Sequence, residues 1–94
     1  MVPKYYSYKV AGYFLYFTSK CIVEAFHVHA SDGRLTEQGS AKFFVGERGQ
    51  SSVMERGRLS DREIHKIQKF IGSHYKEMYL LWSEFGGNGF YRGE

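Results

Sequence analysis

Along the first two thirds of the chain, apolar positions come in short runs broken by polar ones, and along the last third they recur every three or four residues. Tyr5–Val10 and Tyr13–Thr18 are aromatic and β-branched runs separated by Ala11-Gly12, where glycine supplies the unusual φ of a tight hairpin. Cys21–Ser31 opens on Cys-Ile-Val and then alternates strictly. Phe26, Val28 and Ala30 take one face and His27 and His29 the other, which predicts a half-buried strand. Ser31–Gly39 is polar and glycine-bearing, a loop between strands. Ser40–Val45 predicts the next strand, with Ala41, Phe43 and Val45 facing one way and Lys42 and Phe44 the other. Gly46–Gln50 then turns the chain into a short strand at Ser51–Glu55. Short strands with short polar links favour an antiparallel meander.

The helical part has a marked start. Ser60-Asp61-Arg62-Glu63 fits a capping box, in which the Ser60 hydroxyl accepts from the Glu63 amide and the Glu63 carboxylate reaches back to the Ser60 N–H. Ile64, Ile67, Phe70 and Ile71, then Met78, Leu81, Trp82 and Phe85, form a buried stripe. Between the two groups lies Gly72-Ser73-His74, a poor helix former next to a good cap, which predicts a break and two helices. The expected fold is α+β: an antiparallel four- to five-stranded β-meander followed by two C-terminal helices packed on one sheet face. It forms a single domain over 1–94, with strands at about 5–56, helices at about 60–85 and a loose tail at 86–94.

Composition changes this picture little. Aromatic residues make up 18% of the 94, a way for a small domain to bury area with few positions. Seven of them fall within Tyr5–Phe17, enough to load both faces of the first hairpin. One face can lie under the helices; the other suits a partner-binding surface or a homodimer. The net charge of +3 is far from the basic stripe of a dedicated nucleic-acid binder. A single cysteine, Cys21, points to a cytoplasmic protein, and its apolar run to an inert thiol. No charge-free run approaches the roughly 20 residues of a membrane span, and the N-terminus lacks a signal-peptide cleavage site.

Chemistry concentrates on His27-Val28-His29, because a separation of two on a strand sets both imidazoles on one face. They are candidates for a metal, for phosphate binding or for proton transfer; the plainer reading is two polar side chains on the solvent-facing side of a strand. Lys42, on the next strand, shares their face in one of two registers and would make an anion pocket with them. His74 lies on the helical stripe and completes the candidate set. Nothing resembles a phosphate loop or a cofactor motif, so no cofactor is expected.

The aromatic strand Tyr13–Ser19, the His27-Val28-His29 strand, Ala41–Val45, and Leu59-Ser60 through Glu63-Ile64, Ile67, Ile71, His74, Leu81-Trp82 and Phe85 come in an order that resembles the bacterial family Domain of Unknown Function 4160. Its members often carry a proline pair where this chain has Ala25-Phe26. Genes of that family often sit beside those of another small family in pairs that look like toxin–antitoxin modules. The resemblance therefore implies a protein partner encoded by a neighbouring gene. Three readings follow: a non-enzymatic protein-binding domain, an RNA-binding or RNA-cleaving toxin-like domain using His27, His29 and Lys42, and a metal-binding domain.

Overall fold

The hairpin and capping signals can be followed into the architecture. The computed structural model describes residues 3–33, 35 and 39–93. It runs β1 (Phe14–Tyr16), a 3-10 turn (Cys21–Val23), β2 (His27–Ser31), β3 (Ala41–Val45), β4 (Ser51–Glu55) and α1 (Asp61–Glu84). The polar link expected over Ser31–Gly39 lies in part outside the described residues. The strands form one antiparallel sheet in the order β1-β2-β3-β4. The meander is present, with four strands and not five.

The missing strand is Tyr5–Val10. Val10 and Tyr13 exchange hydrogen bonds of 2.7 and 3.0 Å around a turn with Ala11 at φ 55° and Gly12 at φ 91°, the doubly positive pair that a two-residue hairpin requires. Lys4 then bridges Tyr16, with the Tyr5 N–H on the Leu15 carbonyl at 2.8 Å. Six steps of chain from Lys4 to Val10 thus face three from Tyr13 to Tyr16, so the middle residues must leave the ladder. Tyr6 and Tyr8 lie edge-on to Phe70 of α1 instead, at 5.3 and 6.4 Å. Cys21-Ile22-Val23 departs from the expected strand as well. The chain has to double back between the antiparallel β1 and β2, and the 3-10 turn does so through bonds from the Cys21 N–H to the Thr18 carbonyl and from the Glu24 N–H to the Cys21 carbonyl.

The helix is one, not two. Ser60 caps it with both bonds of the capping box in place. It continues through Gly72-Ser73 because the buried stripe keeps its phase: Ile64, Ile67, Ile71, Met78 and Trp82 are all buried, with half-buried His74 and Tyr75 bridging the gap. The Ser73 hydroxyl, which would have capped a second helix, donates to the Lys69 carbonyl four residues back.

Leu15 faces Ala30, Ala30 faces Ala41 and Val28 faces Phe43, so these five share one side of the sheet. They join the helical stripe in one core with Phe17, Phe26 and Val45. Each buried Val, Leu, Ile, Phe or Met among them is worth about 1.5–3 kcal/mol. The tail expected to be loose is docked: the Phe26 N–H donates to Gly89, the Tyr91 N–H to Val45, and the Trp82 indole N–H to the Asn88 carbonyl. Phe90 stacks on Tyr79 at 4.0 Å and Tyr91 on Phe44 at 4.5 Å, which is why these aromatic residues do not hang free.

Candidate metal centre

The other side of the sheet carries the polar candidates. Tyr16 lies opposite His29, His29 opposite Lys42, and His27 opposite Phe44. The expected common face of His27, His29 and Lys42 is therefore the register adopted. That face is not open to solvent at the histidines: His27 is 0% and His29 3% exposed. His27 packs edge-on to Trp82 and Phe44 and His29 stacks on Tyr16, and the 3-10 turn brings Cys21 onto both.

A ring nitrogen of His27, a ring nitrogen of His29 and the Cys21 Sγ all lie within 4.8 Å of one another. Each donor is also held from behind. His27 Nδ1 lies 2.8 Å from the Ala25 carbonyl, which can only accept, so Nδ1 carries a proton and Nε2 is the nitrogen that could bind a metal. His29 Nδ1 meets the Ser40 hydroxyl at 2.9 Å, and the ring stacks on Tyr16 at 5.7 Å. Cys21 Sγ accepts from the Thr18 amide at 3.3 Å and lies 3.2 Å from its hydroxyl. Such outer partners fix the orientation of metal-binding imidazoles and thiolates. Ligands about 2.0–2.3 Å from a tetrahedral zinc ion sit about 3.5 Å apart, so even a pair at the full 4.8 Å needs to close by only about 1 Å to share one ion.

An ion pair flanks the histidine strand. Lys42 Nζ donates to Glu24 Oε1 at 2.8 Å. That hydrogen bond holds the Glu24 carboxyl below its usual range against the opposing effect of partial burial, with His27 and His29 adding smaller contributions of the same sign. On the other side Tyr5 donates its hydroxyl to the His27 carbonyl at 2.9 Å, and burial followed by the charge of Cys21 pushes its phenol well above the ordinary value.

The sequence candidates divide accordingly. His27 and His29 converge, and Lys42 reaches their edge through Glu24. His74 does not join them: it stacks on Phe70 at 3.9 Å and its Nδ1 bonds the Phe70 carbonyl. Cys21 is the residue that sequence reasoning missed. Its signal was the polar Thr18-Ser19-Lys20 ahead of it, a turn able to fold a cysteine back onto histidines six and eight positions later.

The sequence profile of the family described as Domain of unknown function (DUF4160) matches residues 12–83. The chain belongs to this family. No curated protein and no solved structure matches it. All four strands of this DUF4160 domain, with Cys21, Glu24, His27, His29 and Lys42, fall inside the matched stretch, while Tyr5 and the docked tail lie outside it. No helix among the described residues is long and apolar enough to cross a membrane.

Proposed function

We propose that this DUF4160 domain is a transition-metal-binding domain whose ligands are Cys21, His27 and His29. The observation that carries the reading is the convergence of one sulfur and two imidazole nitrogens within 4.8 Å. A thiolate with two imidazoles is a donor set that suits zinc. Burial favours this reading over RNA cleavage, because a scissile phosphate must touch the groups that move its protons, whereas His27 and His29 are buried. Metal content of the protein purified without chelator tests it. The expected result is about one zinc per chain, lost in Cys21→Ser and in His29→Ala; a protein that neither carries zinc nor takes it up on dialysis overturns the reading.

A second reading makes the domain the protein-binding member of a toxin–antitoxin-like gene pair. What supports it is apolar surface: Val23 is 76% and Phe85 43% exposed, next to the 86–88 turn that Asn88 ties to Ile22 and Val23. Co-expression with the neighbouring gene product should give one size-exclusion peak, and two separate peaks at micromolar concentration speak against it.

A further inference from the structure

Three protein ligands leave a tetrahedral ion one position short, and a carboxylate, Glu24, lies in the chain between Cys21 and His27, its side chain held on Lys42 outside the three-donor group. Glu24 follows directly on the 3-10 turn that carries Cys21, and precedes Ala25, whose carbonyl holds His27. Its partner Lys42 lies directly across the sheet from His29. The ion pair thus links the residue between Cys21 and His27 to the strand beside His29. The Glu24 side chain is 42% exposed and that of Lys42 16%, so the carboxylate is free to turn where the buried donors are not.

We propose that Glu24 is the fourth ligand, held by Lys42 until a metal ion arrives, so that binding exchanges the Glu24–Lys42 ion pair for a Glu24–metal bond. The inference rests on the reading of Cys21, His27 and His29 as a metal centre. Charge balance argues for it. A divalent ion with one thiolate and two neutral imidazoles leaves one net positive charge in a buried site, which is costly, and a carboxylate cancels it. Oxygen ligands at about 2.0–2.2 Å belong to zinc's ordinary set. Lys42 has somewhere to go when released: its ammonium already lies 5.0 Å from the centre of the Phe44 ring. The exchange makes Lys42 a competitor of the metal.

Competition with a chromophoric chelator, using zinc and the full chain, separates the possibilities. Glu24→Gln keeps the shape of the side chain and removes its charge; it should weaken zinc binding at least about tenfold. Lys42→Met breaks the same ion pair and should tighten binding by about two- to fivefold, the worth of a half-exposed pair. Because both variants lose the pair, a merely structural role would move them in the same direction. Zinc binding that weakens equally in both, or that stays within about twofold of wild type in Glu24→Gln, overturns the fourth ligand and leaves the three-ligand centre standing. A wild-type chain that binds no zinc overturns both.

Discussion

Tyr5 shows how one side chain serves the fold and the site at once. It is buried, and its hydroxyl donates to the carbonyl of His27 on β2. Tyr5→Phe removes that donor and leaves the carbonyl with one partner fewer, so unfolding by urea should show a loss of about 1–2 kcal/mol. The same scale is where the sequence was least legible. Alternation placed His27 and His29 on one face without saying whether the face was wet, because period-two patterning reports sidedness and not what lies on either side. Cys21 looked inert for a related reason. Its importance comes from a turn that brings it back onto β2, and an apolar Cys-Ile-Val run carries no sign of that fold-back.

Helix α1 carries two element-scale predictions. Gly72 misled the sequence reading because helix propensity is a local quantity, whereas the stripe from Ile64 to Trp82 is anchored along its whole length. A Cβ placed on Gly72 would meet only the Gly49 carbonyl oxygen at 3.7 Å, an ordinary contact. Gly72→Ala should therefore stabilise the domain by about 1 kcal/mol and raise the melting temperature by about 4–8 °C. The capping box was legible because its chemistry is local, and it predicts a pH effect. The hydrogen bond from the Ser60 N–H holds the Glu63 carboxyl below its ordinary value. A carboxyl with a lowered folded-state pKa contributes above its unfolded value of about 4.3 and loses that contribution as the pH falls through the folded one. Wild type should thus be more stable than Glu63→Gln at neutral pH, with the gap closing in melts taken below about pH 4; a gap independent of pH would contradict the charge-based account. The meander was legible from turn residues, and the fifth strand failed on register, since Lys4–Val10 is too long for the Tyr13–Tyr16 stretch it faces.

For the whole molecule, the proposed metal pins the connection after β1 onto the inner strand β2. Cys21 belongs to the connection after β1 and the histidines to β2, whose neighbour β3 supplies Lys42. An ion held by the native state alone stabilises it by about 2.7 kcal/mol at one hundred times the dissociation constant. Melting temperature should accordingly climb with added zinc and return with chelator, and Cys21→Ser should abolish the rise. The most direct measurement of the centre itself is cobalt(II) titration followed by absorption. A cysteine and two histidines predict a thiolate-to-cobalt charge-transfer band and intense four-coordinate d–d bands that saturate at one equivalent and vanish in Cys21→Ser. A spectrum that remains that of hydrated cobalt at every ratio would contradict the account.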